Sequence, residues 1–535
     1  MAPLGGQDRR VRRGAAGGAL VLGLLGLAAY AGPGTAAPLT PQEALGKQIY
    51  LEGKGIGGRE IPALVGKSSL RLEASAVPCA SCHGRDGRGR PEGGVVPPRI
   101  AWEELAKPWG HRHASGREHG PFDEASLAAA VSRGTDPAGN RLDETMPRYA
   151  LEPGEAAALV AYLKRLENDF DPGLSTQAIR VGTVLPLAGP LAPVGQAMKA
   201  VLEACFQEVN TAGGVFGRSL ELVVTGGGGT SQSLVTALRG AEREGPAFVL
   251  VAPFAPGAER QLWTYAERER VPLVGPVTLF PAKAAGRYSF FLVGGVREQG
   301  MALARYGARA LELRAPAFAL IHPDDGHYGD AADAIEGEAR ALGWRGVGRI
   351  THGPGKLDVR ALAVQARRAE VVFFLGPGGA LADLVRAMAD QGGTPPYVLA
   401  PGSAADRALL ELPDSLAQRV FLAYPSLPED YSPEAVAEFE RLRSRYRLPS
   451  GHFPAQAAAY TAARTLVEAL KRTGRDLSRE KLVDVLEGFR RVDVGLAPPL
   501  TFGPNRRIGS AAARIVGVDA AAKRFRPVER EEGNP

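Results

Sequence analysis

Two hydrophobic patterns divide the chain. From about residue 179 to residue 425, near-continuous apolar runs alternate with segments whose apolar residues recur every three or four positions. Such runs predict strands buried on both faces of a parallel sheet, and the longer period predicts helices between them. The predicted strands are residues 179–186, 220–225, 247–254, 271–277, 317–321, 371–375, 397–400 and 420–424, and the predicted helices are residues 195–210, 258–270, 299–313, 331–342 and 380–391. We therefore expect a doubly wound α/β region that is too long for one sheet and folds as two lobes with a cleft between them.

Residues 40–168 carry helix signals instead. Thr40-Pro41-Gln42-Glu43 is a capping box with proline at the first helical position, so a helix should begin there. A second helix is predicted from Asp123, and a third over about residues 153–166. Residues 168–173 are turn-forming and read as a short linker without a long apolar run. We expect the two parts to fold independently and to move about this linker.

Composition agrees with a folded, soluble protein of several domains. The chain has 535 residues, of which 45% are hydrophobic and 23% charged, so a disordered chain and a polytopic membrane protein are both disfavoured. The formal net charge of +6 falls to +3 when the first 37 residues are set aside. A charge this small gives no support for nucleic-acid binding.

The first 37 residues predict an export signal. An arginine-rich stretch ends at Arg13, an uncharged Gly/Ala/Leu run covers residues 14–32, and Thr35-Ala36-Ala37 supplies the small residues that a signal peptidase needs. We expect cleavage near Ala37 and a periplasmic location. An uncleaved membrane anchor is the alternative, because the apolar run is near spanning length. No cysteine precedes Cys79, which argues against a lipid anchor just after the signal.

Two of the three cysteines lie in a motif for covalent haem attachment. Cys79-Ala80-Ser81-Cys82-His83 has the required spacing, because each thiol adds to a porphyrin vinyl group and the histidine directly after the second cysteine can bind the iron. A structural disulfide and a redox-active pair are alternatives, but His83 fits neither as well. Cys205 falls on an apolar helix stripe, which predicts a buried, inert thiol.

Met146 is the candidate for the sixth iron ligand. It is the only methionine between residues 38 and 172, it follows a loop at residues 134–140, and Pro147 comes directly after it. A thioether ligand raises the haem potential. The competing side chains are His111, His113 and His119, whose glycine-rich loop predicts that they are solvated.

Residues 40–168 resemble a class I c-type cytochrome. The residues that carry the resemblance are Gly46 and Tyr50, the motif from Cys79 to His83 followed by Gly84, the pair Met146-Pro147, and Tyr162-Leu163. The resemblance implies that the first and last helices cross near Gly46. It also implies one covalently attached haem c, with His83 and Met146 as axial ligands. An insertion at residues 53–77 departs from the minimal pattern.

Residues 176–528 resemble a type I periplasmic solute-binding protein of the branched-chain amino-acid receptor group. The resemblance rests on Pro186-Leu187-Ala188-Gly189-Pro190, on Gly195, on residues 208–218, and more diffusely on Val271-Pro272, Asp325, Tyr328-Gly329 and Phe502-Gly503. It implies a two-lobed clamshell, hinged near Gly294, Tyr424 and Pro499, that closes on a small-molecule solute.

The cleft residues depart from the pattern for amino-acid ligands. Receptors of this group hold the ligand carboxylate with hydroxyl and N–H groups after the third and fourth strands, and its ammonium with an acidic residue of the second lobe. Here those segments read Ala255-Pro256-Gly257, Val277-Thr278-Leu279 and Pro401-Gly402-Ser403, and Pro256 removes a backbone donor. Tyr328 alone keeps the pattern, with Thr278 and Ser403 as lesser contacts and Phe254 and Phe280 as walls. We expect a less polar, aromatic or alcohol-like ligand; a register error of one or two residues is the alternative.

Other features suggest no catalytic chemistry. The glycine run at residues 226–229 lacks the Lys-Ser/Thr pair and the spacing of nucleotide sites. Asp324, Asp325 and His327 read as a solvated loop rather than a metal site. With both axial positions of a haem filled, the iron has no open site for a substrate.

These patterns predict a multidomain protein: a signal peptide (1–37), a small all-α cytochrome c domain (38–168), a linker (169–175), a two-lobed α/β periplasmic-binding-protein clamshell (176–528) and a tail (529–535). The predicted function is electron transfer joined to solute binding, not catalysis, as the receptor of an ABC-type importer with a permease and a periplasmic redox partner. The alternative is an electron carrier for a periplasmic dehydrogenase, whose substrate or enzyme the clamshell captures.

Overall fold

The computed structural model describes residues 39–89, 91, 94–113, 116–226, 231–282, 286–353, 355 and 357–531. The predicted export signal, most of the glycine run and the last four residues lie outside these ranges. Among the described residues, no helix has both the length and the apolar character needed to cross a membrane.

The N-terminal region is built mainly of helices. Its helices are α1 (Pro41–Glu52), α2 (Cys79–His83), α3 (Trp102–Leu105), α4 (Glu124–Arg133) and α5 (Pro153–Arg165), and its strands are β1 (Pro62–Val65), β2 (Leu70–Glu73), β3 (His111–Arg112), β4 (Glu118–His119) and β5 (Arg148–Tyr149). The capping box at Thr40 opens α1 as predicted. The insertion folds as β1 and β2, which pair with β5 in one small sheet. The region is therefore helical, with two small sheets added.

The first and last helices of this region cross at Gly46, as the resemblance implied. A Cβ atom at Gly46 would lie 2.0 Å from the carbonyl oxygen of Ala158 and 2.7 Å from Cβ of Tyr162. No side chain fits in that space, so glycine permits the close approach of α1 to α5. Tyr50 and Tyr162 pack nearby, with ring centroids 5.6 Å apart.

The remaining chain forms two α/β lobes, and it passes between them three times. The first lobe begins with β6 (Ala178–Leu185), α6 (Ala192–Thr211), β7 (Ser219–Gly226), α7 (Ser231–Glu244), β8 (Val249–Val251), α8 (Glu259–Arg268), β9 (Leu273–Val274) and β10 (Ser289–Val293). The second lobe follows with α9 (Val296–Arg309), β11 (Ala317–Pro323), α10 (Gly326–Ala341), β12 (Arg345–His352), α11 (Val359–Gln365), β13 (Val371–Phe374), α12 (Gly378–Ala389), β14 (Tyr397–Pro401), α13 (Asp414–Ala417) and β15 (Val420–Tyr424). The chain then returns to the first lobe with α14 (Pro433–Tyr446), α15 (Phe453–Thr473), α16 (Arg479–Glu487) and β16 (Ile508–Ser510), and ends in the second lobe with β17 (Ala513–Asp519) and β18 (Arg524–Glu531).

Each lobe has its own sheet. The first-lobe sheet has the order β16-β10-β9-β8-β6-β7, and all its pairings are parallel. The second-lobe sheet has the order β12-β11-β13-β14-β15-β17-β18. Its pairings are parallel from β12 to β15, and β17 pairs antiparallel with both β15 and β18. Separate buried clusters form the cores of the two lobes, as a clamshell requires.

Two of the three predicted hinge positions agree with the structure, and one is wrong. The first crossing includes Gly294, and the second follows Tyr424. The third lies between Ser510 and Ala513, not near Pro499. Pro499 belongs to the first lobe, because its neighbour Leu500 forms an antiparallel bridge with Val492 and both are buried in the first-lobe core.

The linker is held against the first lobe. Asp171 accepts a hydrogen bond from the backbone N–H of Arg479 at 2.7 Å, and the buried Arg479 guanidinium donates to the carbonyl of Pro172 at 3.2 Å. The same guanidinium donates to the carbonyls of Ala247, Phe248 and Glu269. This differs from the expectation of a freely moving linker, because side-chain contacts from a distant helix are not visible in the composition of residues 168–173.

Candidate functional sites

A cavity of about 590 Å³ opens in the N-terminal region. Its walls include Cys79, Cys82 and His83 from α2, and Met146 from the loop before β5. Residues at positions i, i+3 and i+4 of a helix share one face, so the short helix α2 presents both thiols and the imidazole to the same space. Apolar side chains line much of the rest, among them Leu105, Phe122, Leu127, Val131, Leu159 and Leu163.

His83 is oriented as an iron ligand needs to be. Its Nδ1 lies 3.0 Å from the carbonyl oxygen of Pro98, which can only accept, so Nδ1 carries the proton and Nε2 keeps its lone pair. His83 is 8% exposed, and burial lowers the pKa of its imidazole. The neutral form, which is the form that binds a metal, is therefore favoured.

The two thiols of the motif are both free, so the structure contains no disulfide between them. Burial raises the pKa of the Cys79 thiol to about 12. Cys205 lies in the first-lobe core, as expected, and burial raises the pKa of its thiol to about 12 as well.

An arginine clamps the loop that carries Met146. The Arg148 guanidinium donates to the carbonyls of Leu142 at 3.0 Å and Asp143 at 3.1 Å, and to that of Met146. Three carbonyl oxygens held by one planar cation fix the loop, and the half-buried Met146 side chain packs against the core of this region. Burial lowers the pKa of Arg148, but a guanidinium stays charged in proteins.

These residues fit a haem c. Two thiols and an imidazole with a free Nε2 lie on one helix face, a thioether shares the cavity with them, and the walls are largely apolar. A haem bound here supplies one-electron transfer at its iron.

The prediction that His111, His113 and His119 are solvated is wrong. All three line the cavity: His111 and His119 lie in the paired strands β3 and β4, His113 directly follows β3, and His119 is only 7% exposed. Arg117, which directly precedes β4, also lines the cavity. The alternation His111-Arg112-His113 is a strand signal that places both histidines on one face, but the glycines around it favoured a loop.

In the cleft region, three of the five predicted residues lie together. The Thr278 hydroxyl accepts a hydrogen bond from the Phe280 N–H at 3.0 Å, and the rings of Phe280 and Tyr328 meet edge to face at 4.8 Å. Phe280 also stacks on His327 at 5.4 Å. Since Thr278 and Phe280 follow β9 of the first lobe and Tyr328 lies in α10 of the second, this group joins the two lobes.

Phe254 and Ser403 lie outside that group. Phe254 packs against the first-lobe core, and Ser403 is exposed just after β14. No hydrogen bond or ring contact in the described part of the chain joins either residue to Thr278, Phe280 or Tyr328. Sequence reasoning missed Arg260, Arg297 and Asp330, which line a cavity of about 820 Å³ beside Phe280.

The fold and the cavity together define a haem-binding domain followed by a two-lobed solute-binding protein. Comparison with protein families agrees: the profile described as "Periplasmic binding protein" matches residues 178–523, and that described as "Cytochrome c" matches residues 73–167. The chain belongs to the periplasmic binding protein family and carries a cytochrome c domain before that fold.

Known relatives resemble the receptor part. The chain is 24% identical over 354 residues to the "Leu/Ile/Val-binding protein BraC3" of Rhizobium johnstonii, covering 65% of this chain and 92% of the relative. It has the same fold as "a branched chain amino acid ABC transporter from Thermus thermophilus with bound valine", with 20% identity and a TM-score of 0.55. The match covers 68% of this chain and 98% of that structure. A "Fatty acid ABC transporter substrate-binding protein from Thermomonospora curvata" is similar to the same degree, with 19% identity and a TM-score of 0.55. That match covers 68% of this chain and 95% of that structure.

Proposed function

We propose that this protein is an exported solute receptor of an ABC-type importer that carries one covalent haem c for electron exchange. The haem is attached at Cys79 and Cys82, with His83 and Met146 as its axial ligands. The observation that supports this proposal is one cavity whose lining includes two thiols, an imidazole with a free Nε2 and a clamped methionine. The proposed bounds are 38–168 for the cytochrome c domain and 176–528 for the receptor, with export and cleavage near Ala37.

The proposed solute is less polar than an α-amino acid. A buried zwitterion needs a carboxylate for its ammonium group, and burying it without one costs several kcal/mol. The segment after β14 is Gly402-Ser403-Ala404, which has no acid, and the nearby Asp406 is used to cap the N–H of Leu409. Asp325, close to Tyr328, likewise caps the N–H of His327. Tyr328, Thr278, Phe280, Phe254 and Ser403 are the proposed lining, which suits an aromatic or alcohol-like molecule.

Calorimetric titration tests this proposal. Leucine, isoleucine and valine should give no micromolar binding, whereas one or more small aromatic or alcohol-like compounds should bind. Tyr328→Ala should abolish that binding, while Tyr397→Ala, which changes a tyrosine packed on the second-lobe core, should not. Micromolar binding of any of the three amino acids, lost in Tyr328→Ala, would show that the cleft is an ordinary amino-acid site.

A second candidate is an electron carrier for a periplasmic dehydrogenase. Val95 and Val96 line the haem cavity and are 40% and 74% exposed, an apolar edge of the kind that transient redox partners contact. In that case the clamshell captures the substrate of the dehydrogenase or the enzyme itself. Val96→Glu should then slow reduction by the dehydrogenase and leave solute binding unchanged.

A further inference from the structure

The three histidines at the β3–β4 ribbon, His111 and His119 in its strands and His113 directly after β3, form a compact cluster. His111 and His119 are directly paired across the ribbon, and His113 follows His111 by two residues on the same face. Their ring centroids are 5.0 to 6.1 Å apart, and Nε2 of His113 lies 3.0 Å from Nε2 of His119. Nδ1 of His119 lies 2.7 Å from the carbonyl of Gly120 and therefore donates to it. The hydrogen bond between the two Nε2 atoms is then donated by His113.

One polar atom of the cluster is buried without a partner. Nε2 of His111 is buried and has no hydrogen-bond partner among the residues that the structure describes. Its Nδ1 is 4.0 Å from a Glu104 oxygen, and Glu104 also pairs with Lys107. Leaving a buried polar atom unpaired costs about 1–3 kcal/mol, so a partner for this Nε2 is to be expected.

The charges around the cluster favour an anion. Arg117 lines the same cavity and pairs with Asp136 at 2.8 Å. Asp136 is already saturated, because the side chain of Asn140 and the N–H groups of Ala138 and Asn140 donate to it. Burial, with the neighbouring Arg117, His119 and His111, lowers the pKa of His113. The cavity wall here thus carries N–H donors in excess of acceptors.

The cluster and the thiols lie on different elements of the cavity wall. His111 and His119 lie in the paired strands β3 and β4, whereas Cys79 and Cys82 lie in α2. A c-type haem is bound through its vinyl groups, and its two propionate carboxylates are on the opposite edge of the porphyrin. In the part of the chain that is described, no set of three His, Cys, Asp or Glu side chains has the geometry to hold a metal ion.

We infer that His111 and Arg117, supported by the hydrogen-bonded pair of His113 and His119, bind the propionate carboxylates of the haem. His111 donates from Nε2, and Arg117 supplies the positive charge. These are positioning residues that set the haem potential, and they do not bind the iron. The inference rests on the proposed haem attachment at Cys79 and Cys82.

The test uses the full-length holoprotein, after mass spectrometry has shown covalent haem and the optical spectrum has shown a methionine ligand. Failure at that first step would contradict the proposed function; the variants below test the present inference separately. His111→Phe and Arg117→Gln should each lower the midpoint potential of the haem. A propionate that has lost its hydrogen bond or its neighbouring positive charge keeps more of its negative charge near the iron, and this stabilises the ferric form. Both should shift the resonance Raman band of the propionate groups. His111→Gln keeps an N–H donor, so its midpoint potential and its Raman band should stay closer to those of the wild type than the values of His111→Phe do.

Arg112→Gln is the matched control. Arg112 lies on the same ribbon, is 81% exposed and pairs with Glu118, so its loss should leave both the potential and the Raman band unchanged. Unchanged values in His111→Phe and Arg117→Gln, with haem and methionine ligation retained, would overturn the inference. So would a stoichiometric metal ion in the isolated protein that is lost in His113→Gln.

Discussion

Arg88 of the haem-binding region donates to Asp476 of the first receptor lobe across 2.5 Å. Beside this pair, Lys481 donates to Asp86 at 3.2 Å. Asp86 and Arg88 lie within five residues of His83, and Asp476 and Lys481 flank the start of α16. The loop that follows the haem motif therefore contacts the receptor through these two ion pairs.

Reversing one charge should separate the two domains. Exposed ion pairs contribute about 0–1 kcal/mol each, so docking that depends on two of them is weak. Asp476→Arg places two like charges together, and small-angle scattering should show a larger radius of gyration than for the wild type. The double variant Arg88→Asp/Asp476→Arg should restore the compact form, and Arg475→Gln, next to Asp476, should have no effect. An equal radius in Asp476→Arg would show that these pairs do not hold the domains together.

The buried Arg479 should be critical for stability. Replacing it with methionine leaves the carbonyls of Pro172, Ala247, Phe248 and Glu269 without their donor, and breaking a buried charged network typically costs about 3–5 kcal/mol. Arg479→Lys should recover little, because one ammonium cannot serve all four oxygens. Denaturant unfolding measures the loss. Trypsin should also cut after Arg165 faster in Arg479→Met than in the wild type; equal rates would contradict a held linker.

Much of the receptor fold could be predicted from the sequence, because buried parallel strands have continuous apolar runs. All eight predicted runs contain strands of the two sheets. Strand β10 was missed although it is a buried, largely apolar run. Strand β12 was missed because it is an edge strand and most of its residues are exposed, so it has no such run. Strands β16 to β18 were missed because their places in the sheets depend on long-range pairing.

The candidate haem site was predictable where its residues are close in sequence. Cys79, Cys82 and His83 share one helix face, so spacing alone is informative. The histidine ribbon was not predictable in the same way, since the burial of His119 depends on contacts such as its ring packing on Phe122 at 4.9 Å. The role of Arg148 also requires a loop conformation that the sequence does not specify.

Met146→Ala should leave the haem attached and remove its thioether ligand. Because a thioether raises the haem potential, the variant should have a lower midpoint potential and should lose the weak sulfur-to-iron absorption band at the red end of the spectrum. Met301→Ala, in α9 of the second lobe, provides the control and should keep the wild-type potential and the absorption band. An unchanged spectrum in Met146→Ala would assign the sixth position to another residue.

Arg148→Gln should weaken methionine ligation without touching Met146 itself. Losing the guanidinium frees the carbonyls of Leu142, Asp143 and Met146, so the loop becomes less ordered and the sulfur-to-iron band should lose intensity or disappear at a lower temperature. Arg141→Gln, an exposed change in the same loop, should leave the band as in the wild type. A band of equal intensity and thermal stability in Arg148→Gln would show that the loop holds its shape without the clamp.

Glu155 should make the cytochrome domain sensitive to acid. Burial raises the pKa of this carboxyl, but the N–H groups of Glu152 and Ile56 and the Arg59 guanidinium outweigh burial and hold the pKa below its ordinary value. A depressed pKa contributes stability above the ordinary glutamate pKa, and that contribution is lost as the pH falls through the lowered value. Glu155→Gln should therefore cost about 2 kcal/mol near neutral pH and progressively less in acid, measured by denaturant unfolding of the holoprotein. Glu73→Gln, an exposed change in β2, should have the same free energy of unfolding as the wild type at every pH. If the difference in unfolding free energy between Glu155→Gln and the wild type were the same at neutral and at acidic pH, the pKa of this carboxyl would not change on folding.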